Sequence, residues 1–242
     1  MFLFNLRVKE PVHPNPVTRK YFSQCGEDAF LNDRYFNNKR NGSYIELGAI
    51  DGVLFSNTKF FEDQLGWRGV LIEPHPIQFK SLVKNRPNNL LFNNLVSCLD
   101  EPQKFRYFES TLESAISGVE NTLAKSHIGA WFDNPDLNKY AQSRIQIIPK
   151  TFTELITMTP YTHFDLLSLD VEGHELEVLQ SWDFSIPIDV ILIEMLGQDT
   201  ERDEACRKIL TDNGYKFDCT FKHNEVFVMA SSQKTYPVLH TV

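Results

Sequence analysis

One stretch in the first quarter of the chain constrains the fold more than any other. Residues 44–52 read YIELGAIDG, an apolar run that ends at an acidic residue and then breaks at Gly48 and Gly52. The aromatic and aliphatic residues favour a buried β-strand. The glycines allow backbone conformations and close approaches that a side chain would prevent. The pattern therefore predicts a strand followed by a turn against which a ligand can bind.

Charge in this stretch narrows the kind of ligand. Glu46 and Asp51 place carboxylates at the turn, which favours a ligand with hydroxyl groups and positive charge over one rich in phosphate. Neither a G-x-G-x-x-G fingerprint nor a G-x-x-x-x-G-K-[ST] phosphate loop is present. A glycine turn after a strand also occurs for structural reasons alone, so other parts of the chain have to decide between the two interpretations.

Composition places the chain among ordinary globular proteins. Its 242 residues, 42% hydrophobic and 23% charged, are enough for one large α/β domain with a sizeable core. The net charge of -8 argues against a general nucleic-acid binder, because such proteins carry a basic face that neutralises phosphates. We predict an extended arm over residues 1–20, where three prolines occur, and a single domain over residues 21–242.

The spacing of the cysteines and the length of the apolar runs indicate the cellular compartment of the protein. The four cysteines lack C-x-x-C spacing, which indicates reduced thiols rather than a zinc site or a disulfide framework. The opening MFLFNL is too short for the apolar region of a signal peptide, and no apolar stretch approaches the ~18 residues of a membrane span. We expect a cytoplasmic protein that does not bind membranes.

A second strand also ends in a carboxylate. Residues 67–74 read WRGVLIEP, in which Glu73 follows an apolar run and a proline stops it. Folds of this kind hold ribose hydroxyls at this position, because a carboxylate accepts hydrogen bonds from both hydroxyls of a vicinal diol. A third strand is predicted over residues 89–98, and its polar end at Asn94 and Ser97 is expected near the base of the ligand.

Two further segments flank the predicted site. Ser23 is expected to cap a helix, and Gln24 beside it either folds over the ligand or is a solvated capping residue. Residues 110–143 read as a long polar and aromatic insertion, and such insertions are often lids or binding loops. His127 and Trp131 either contribute to ligand binding there or pack inside the insertion.

The most informative segment after the glycine turn is FDLLSLDVEGHE at residues 164–175. Its apolar run predicts a buried central strand, and Asp170, Glu172 and His174 emerge at the carboxyl end of that strand. In open parallel sheets, ligands bind at this edge. The alternative for Glu172 and His174 is capping of the following helix and compensation of its dipole.

The remaining strands complete the predicted sheet. Residues 189–194 read DVILIE, and the terminal Glu194 is expected at the same edge. Strands over residues 215–222 and 225–230 are joined by two residues only, so they have to pair as an antiparallel hairpin. The chain is thus predicted to form an α/β fold with a mostly parallel sheet, an antiparallel C-terminal hairpin and helices on both faces.

Together these segments resemble the S-adenosylmethionine-dependent methyltransferase fold and, within it, the FkbM family. The matching text, which spans most of residues 21–230, is SQCGEDAF, YIELGAIDG, GWRGVLIEP and LLSLDVEGHELEVLQ. DVEGHE is the most family-specific piece, whereas many unrelated methyltransferases share the glycine turn. The resemblance implies a Rossmann-like class I methyltransferase sheet with S-adenosylmethionine as cofactor.

The resemblance also implies roles for individual residues. Glu73 would bind the ribose, Asn94 and Ser97 would lie near the adenine, and Gln24 would cover the cofactor. The methionine part of the cofactor would be surrounded by Glu46, Gly48, Ala49, Asp51 and Gly52. The family is associated with O-methylation of sugar or polyketide hydroxyls, which implies a small-molecule or glycan acceptor.

Methyl transfer to an alcohol requires a collinear arrangement of oxygen, carbon and sulfur, and removal of the hydroxyl proton. We expect His174 to be the base, because neutral imidazole is available near pH 7, with Asp170 or Glu172 as alternatives. A second mechanism makes Asp170 and Glu194 ligands of a divalent ion such as Mg²⁺, which would bind two acceptor hydroxyls. Without a metal, the same carboxylates would hydrogen-bond the substrate or the backbone.

Other functions stay open at this point. An NAD-linked enzyme on the same sheet is disfavoured by the missing dinucleotide fingerprint. A non-catalytic binding module with this fold is the alternative from another class, and a methyltransferase acting on another polyol or a polyketide is the alternative within the class. The sequence favours an O-methyltransferase that acts on a hydroxyl of a sugar or glycan.

Overall fold

The structure is a computed structural model that describes residues 19–231. The predicted N-terminal arm falls mostly on residues 1–18, which lie outside the described part. The strands of residues 19–231 are β1 (Ser43–Leu47), β2 (Arg68–Ile72), β3 (Leu90–Phe92), β4 (Gln103–Phe108), β5 (Gly118–Val119), β6 (Gln142–Ile147), β7 (Phe164–Leu169), β8 (Ile188–Glu194), β9 (Tyr215–Phe221) and β10 (Asn224–Met229). The α-helices are α1 (Glu27–Leu31), α2 (Lys59–Leu65), α3 (Pro76–Asn85), α4 (Lys125–His127), α5 (Phe152–Thr157), α6 (Glu175–Gln180) and α7 (Thr200–Asp212).

Seven strands form the main sheet in the order β3-β2-β1-β7-β8-β10-β9. The first five strands of this order are parallel, and β10 runs antiparallel to both of its neighbours. From β1 the chain adds β2 and β3 on one side of the sheet, and from β7 it adds the later strands on the other side. The strand order therefore reverses between β1 and β7, although these two strands are parallel. Ligands bind at such switch points in open α/β sheets. The predicted fold class, a mostly parallel α/β sheet with an antiparallel C-terminal hairpin, is confirmed.

Both faces of the main sheet are buried. Ile45 and Leu47 pack with residues of α5, α6 and α7 on one face, whereas Tyr44 packs with residues of α1, α2 and α3 on the other. All six positions of β7 are buried, as expected for a central parallel strand covered by helices. Because a shift of one residue would exchange the two faces, this burial sets the register and brings the carboxyl ends of β1, β7 and β8 to one edge.

The turn between β2 and α3 is built around His75. Its Nδ1 accepts hydrogen bonds from the backbone N–H groups of Ile77 at 3.2 Å and Gln78 at 3.5 Å, and Pro76 is the first helical residue. Its Nε2 donates to the carbonyl oxygen of Phe108 at 2.8 Å. The ring therefore ties the end of β2 to the end of β4.

A second, antiparallel sheet has the order β5-β4-β6. The region 110–143, predicted as an insertion, is the connection from β4 to β6 together with β5. The sheet has its own small core, in which Phe105 and Tyr107 pack with Leu95 and Val119. It forms one wall of a cavity at the edge of the main sheet.

The third strand is shorter than predicted. The expected strand over residues 89–98 is reduced to β3. Directly after β3, the side-chain amide of Asn93 donates to the carbonyl oxygen of Glu73 at 2.7 Å, so a side chain replaces the backbone ladder there. The chain then leaves the sheet, and Val96 makes an isolated bridge with Lys150.

The first helix begins later than predicted. Its N-cap is Gly26, with a φ of 90°, and not Ser23. Ser23 instead forms an isolated parallel bridge with Phe55, next to the glycine turn. The Ser23 hydroxyl donates to the carboxylate of Asp28 in α1 at 2.6 Å, so Ser23 connects this helix to the loop after β1 by contacts that the local sequence does not reveal.

Two predictions about the whole chain can be compared with the structure. All four cysteines are free thiols, as predicted. Among residues 19–231, no helix combines the length and the apolar character that crossing a lipid bilayer requires.

Candidate active site

Two cavities and a cleft meet at the carboxyl ends of β1, β7 and β8. The apolar cavity lies between the main sheet and the second sheet, and its apolar walls are Ile72, Leu95, Val96, Phe105, Val119 and Val178. The acidic cavity is bordered by Glu46, Gly48, Asn57, Asp170, Glu172 and Glu194. The polar cleft runs between the turn at residues 121–127 and the start of α7, and Glu172 and Glu194 border it as well.

Glu73 directly follows β2 and borders the apolar cavity. Its two carboxylate oxygens accept hydrogen bonds from the backbone N–H groups of Ile50 and His75, each at 2.7 Å. Burial raises the pKa of Glu73 to about 7. Because each oxygen keeps a further lone pair, the carboxylate is still able to accept hydrogen bonds from two hydroxyl groups of a ligand.

Glu46 borders the acidic cavity, but its carboxylate serves the loop after the glycine turn. It accepts hydrogen bonds from the Asn57 N–H at 2.8 Å, the Thr58 hydroxyl at 2.6 Å and the Ser56 hydroxyl at 3.0 Å. Burial raises the pKa of Glu46, and the guanidinium of Arg86, 3.7 Å away, opposes that rise. Glu46 therefore acts on the cavity through the loop that it holds.

Arg86 is fully buried just after α3 and connects that helix to the same loop. Its guanidinium pairs with the Glu62 carboxylate. It also donates to the carbonyl oxygen of Gly52 at 2.9 Å, the Thr58 hydroxyl at 2.9 Å and the Tyr44 hydroxyl at 2.6 Å. The sequence gives no signal for Arg86, because an arginine at a helix end is normally exposed and only the fold shows its burial.

Asp170, Glu172 and Glu194 bring three carboxylates together where β7 and β8 end. One oxygen of each lies within 4.8 Å of the other two. Burial raises the pKa of all three, and neighbouring carboxylates raise those of Glu172 and Glu194 further. Among residues 19–231, no lysine or arginine pairs with them, and Nδ1 of His127, whose pKa is lowered by burial, lies 3.4 Å from Glu172.

Glu172 is the residue, among those described, that borders both cavities and the cleft. Its backbone has a φ of 56°, and Gly173 follows with a φ of 91°. Glu175 stabilises this turn, because its carboxylate accepts from the N–H groups of Val171 at 3.0 Å and Gly173 at 3.3 Å. The Glu172 side chain lies 3.4 Å from Nδ1 of His127, which belongs to the insertion.

His174 shares the lining of the apolar cavity with Asp170 and Glu172 but not with Glu194. Its ring is 1% exposed and borders the apolar cavity rather than the acidic cavity or the cleft. Burial lowers the pKa of His174 to about 4, so the ring is neutral at pH 7. The base role of His174 stays a prediction, and Glu172 is the residue that borders both the apolar cavity and the cleft.

The structure brings several of the predicted cofactor residues to the cavities. Gly48, Glu73 and Asn94 border the apolar cavity, and Gln24 and Glu46 border the acidic cavity. Each residue follows or precedes a strand of the main sheet or lies in the segment bridged to the glycine turn. The carboxyl ends of neighbouring parallel strands meet at one edge, which is why residues far apart in sequence converge there.

Four other predicted cofactor residues, Ala49, Asp51, Gly52 and Ser97, border neither cavity. The Asp51 carboxylate accepts hydrogen bonds at 2.9 Å and 2.8 Å from the backbone N–H groups two and three residues later. Ala49 and Ser97 are each 1% exposed. Their contacts in the structure are within the protein, and direct contact of these four residues with the cofactor stays a prediction.

Two polar atoms that the sequence did not single out border the cavities without a partner. The Asn57 side-chain oxygen is buried, has no hydrogen-bond partner and lies at the acidic cavity. The Ser117 hydroxyl has the same properties at the apolar cavity. The position of Asn57 before a helix indicates only a capping role, and Ser117 lies in the insertion, where no periodic pattern marks it.

Comparison with known protein families identifies the family of this chain. A family model described as the methyltransferase FkbM domain matches residues 46–217 of the 242. The chain belongs to the FkbM methyltransferase family. The match begins inside β1 and ends inside β9, so the FkbM domain includes Glu73, the three carboxylates and the second sheet. The predicted family is confirmed.

Solved structures of similar fold share little sequence with this FkbM protein. The fibrillarin pre-rRNA processing protein of Methanococcus jannaschii is 13% identical, with 84% of this chain and 73% of that chain covered and a TM-score of 0.45. A TehB-like SAM-dependent methyltransferase from Corynebacterium glutamicum is 10% identical, with 84% and 87% covered and a TM-score of 0.43. Aeropyrum pernix fibrillarin, solved with natively bound S-adenosyl-L-methionine, is 13% identical, with 79% and 66% covered and a TM-score of 0.43. No curated protein matches the chain significantly.

Proposed function

We propose that the protein is an S-adenosylmethionine-dependent O-methyltransferase that acts on a hydroxyl of a sugar or glycan. The observation that carries this proposal is the group of three carboxylates, Asp170, Glu172 and Glu194, which pair with no lysine or arginine of residues 19–231. Partly buried carboxylates without opposite charges favour a cationic ligand. Membership of the FkbM family supports methyl transfer as the reaction.

The polar groups that border the two cavities suit S-adenosylmethionine. The free lone pairs of Glu73 suit the ribose diol. The carboxylates of the acidic cavity suit the ammonium and sulfonium charges, and the unpartnered side-chain oxygen of Asn57 is an acceptor for the ammonium group. When bound, the cofactor supplies an electrophilic methyl carbon on a positively charged sulfur, and the sulfur keeps the electron pair when the methyl group is transferred.

The polar cleft is the proposed site for the acceptor. Its volume is about 520 Å³, within the range of about 300–1,000 Å³ that small-molecule sites have. Hydroxyl, amide and ammonium groups of Asn121, Lys125, Ser126 and Gln198 border it. The Ser126 hydroxyl donates to the Gln198 side-chain oxygen at 3.2 Å and so links the two walls. Such a lining favours an acceptor with several hydroxyl groups.

Glu172 is the proposed base, because it borders the cleft and both cavities. In its ionised form it accepts the proton of the acceptor hydroxyl as that oxygen bonds to the methyl carbon. A positive charge bound in the acidic cavity lowers the pKa of Glu172 and so favours the proton-accepting form. Nδ1 of His127 lies 3.4 Å from the carboxylate, and because Nε2 donates to the carbonyl oxygen of Ile116 at 2.9 Å, Nδ1 donates to the ionised carboxylate only when the ring is protonated.

A divalent ion is the alternative way to activate the acceptor. Asp170 and Glu194 would hold it, with Glu172 near enough to contribute a third oxygen. Bound there, Mg²⁺ would lower the pKa of a coordinated hydroxyl. Burial raises the pKa of Asp170 and of Glu194, and both carboxylates have to be ionised to bind the ion. This mechanism requires activity that disappears in a chelator and returns with added Mg²⁺. Full activity in the chelator would exclude it.

The proposed function is tested in two steps. Calorimetry with S-adenosylmethionine, S-adenosylhomocysteine and NAD measures cofactor choice, and we expect binding of the first two only. Transfer of a tritiated methyl group is then measured with a panel of methyl glycosides and a matched panel of non-sugar polyols, and we expect label in the glycosides. Binding of NAD alone would overturn the methyltransferase assignment. Label confined to the non-sugar polyols would overturn the glycan acceptor, and binding without transfer to any acceptor would indicate a binding module.

A further inference from the structure

Two polar atoms in the wall of the apolar cavity are buried and have no hydrogen-bond partner in the protein. They are the hydroxyl oxygen of Ser117 and Nε2 of His174. An unpaired buried polar group costs about 1–3 kcal/mol, and such groups are rare in native proteins. Two of them in one cavity indicate a ligand that carries matching polar groups.

The contacts of His174 decide what its Nε2 requires. Nδ1 lies 3.1 Å from the Thr122 hydroxyl and 3.6 Å from the Glu177 carboxylate. Arg202 binds that carboxylate through both terminal nitrogens, so Glu177 is ionised and only accepts hydrogen bonds. The single proton of the neutral ring is therefore on Nδ1. Nε2 is left as an acceptor that needs a donor from inside the cavity.

The walls around the two atoms suit a flat ring. Val119, two residues after Ser117, and Val178, one helical turn after His174, are both apolar wall residues of the cavity. Apolar walls with a few placed polar groups are typical of sites for heteroaromatic ligands. Glu73, the proposed ribose ligand, borders the same cavity, so the base attached to that ribose belongs between these walls.

We propose that Ser117 and His174 recognise the edge of the adenine ring, with His174 Nε2 accepting from the 6-amino group and the Ser117 hydroxyl donating to a ring nitrogen. This inference rests on the proposed use of S-adenosylmethionine and extends it to the choice of base. Inosine carries an oxygen in place of the 6-amino group, which would set an acceptor against Nε2. The site therefore selects adenosine compounds over inosine compounds.

The first test needs no substitution. Calorimetry compares the binding of S-adenosylhomocysteine and S-inosylhomocysteine to the full chain, and we expect the inosine compound to bind about 5- to 150-fold more weakly. Ser117→Ala and His174→Leu are each expected to weaken binding of S-adenosylhomocysteine over the same range of about 5- to 150-fold. His174→Leu should also reduce the discrimination between the two compounds, because the opposing acceptor is gone.

Matched controls are Ser143→Ala and His163→Leu, since neither residue borders the cavity, and both variants should bind like the wild type. Thermal unfolding checks that each variant is folded. Equal affinity of the wild type for the adenosine and inosine compounds overturns the inference, whatever the variants do. Unchanged binding by both folded variants overturns it as well. Failure of the wild type to bind S-adenosylhomocysteine at all is a different result, because it removes the proposed function itself.

Discussion

A Cβ atom at Gly48 would lie 1.9 Å from the backbone carbonyl oxygen of Asp170. Gly48 also has a φ of 77°, in the region that only glycine adopts without strain. The ends of β1 and β7 therefore approach more closely than any side chain permits. This close approach places the carboxylate of Asp170 beside the glycine turn. Glycine is therefore required at position 48 for steric reasons, and the same residue borders both cavities.

Gly48→Ala is expected to lower the free energy of unfolding by more than about 2 kcal/mol and to weaken binding of S-adenosylhomocysteine. The new methyl group has to push the two strand ends apart, which separates the groups that border both cavities. Urea unfolding and calorimetry measure the two effects. Gly129→Ala is the control, because a Cβ atom there would have no neighbour within 4 Å, and a change below about 0.5 kcal/mol is expected. Equal stability of the two variants would contradict the steric argument.

Arg86→Met is expected to lower the free energy of unfolding by about 3–5 kcal/mol, because it leaves Glu46 and Glu62 as buried carboxylates without their cation. The loss should be smaller at acidic pH, where protonation removes the unpaired charges. Urea unfolding at two pH values measures both effects. Lys208→Met breaks an exposed pair with Asp212 and should cost less than about 1 kcal/mol. A similar small cost for Arg86→Met would mean that the buried network does not stabilise the loop.

Glu73 makes stability and cofactor binding depend on pH in opposite directions. Burial raises its pKa from 4.5 to about 7, so between these values the folded protein holds a proton that the unfolded chain has lost. The contribution of Glu73 to the free energy of unfolding therefore falls as pH rises through this window and is constant above it. The affinity for S-adenosylhomocysteine should rise over the same window, since an ionised carboxylate is the stronger acceptor for ribose hydroxyls.

Glu73→Gln isolates this effect. Glu175 has a pKa raised to about 7 as well, so the informative quantity is the difference between wild type and variant at each pH. That difference should change between about pH 5 and pH 8 in both unfolding and calorimetry. If the two proteins respond to pH in parallel, Glu73 is not the group that titrates.

Glu172→Gln is expected to lower the turnover number by about 10²- to 10⁴-fold, the usual contribution of a general base. It should also weaken binding of S-adenosylmethionine more than binding of S-adenosylhomocysteine, because only the former carries the sulfonium charge. Tritium transfer and calorimetry provide the two measurements. Glu204→Gln, an exposed change on α7, is the matched control and should behave like the wild type. An unchanged turnover number in Glu172→Gln would leave Asp170 or a metal ion as the remaining means of activation.

The main strands and the outline of the site could be predicted because their causes are local. In β1, β2, β7 and β8 an apolar run is followed by an acidic residue at or just beyond its end, and that pattern is visible within ten residues. Parallel strands carry their carboxyl ends to one edge, so Glu73, Asp170 and Glu194 could be placed there. The shortened β3 was not predictable in the same way, because a side-chain contact from Asn93 to the neighbouring strand ends it.

Roles within the site were harder to predict than positions. Glu46 and Asp51 look alike in the sequence as acids at the turn, yet one holds the loop over the acidic cavity and the other caps a turn outside it. His174 was predicted as the base because neutral imidazole is available near pH 7, whereas its surroundings, Thr122 from the insertion and the apolar walls, could not be predicted. These distinctions depend on contacts between segments that lie far apart in the chain.

The sequence by itself determined that this chain builds a mostly parallel α/β sheet and where its acidic strand ends lie, because periodic burial and glycine turns act over a few residues. Only the tertiary structure decided which of those polar groups face a cavity and which form their hydrogen bonds inside the protein. A hydrogen bond uses up a lone pair, and whether Glu46, Asp51 or His174 has one left depends on partners that folding brings into reach.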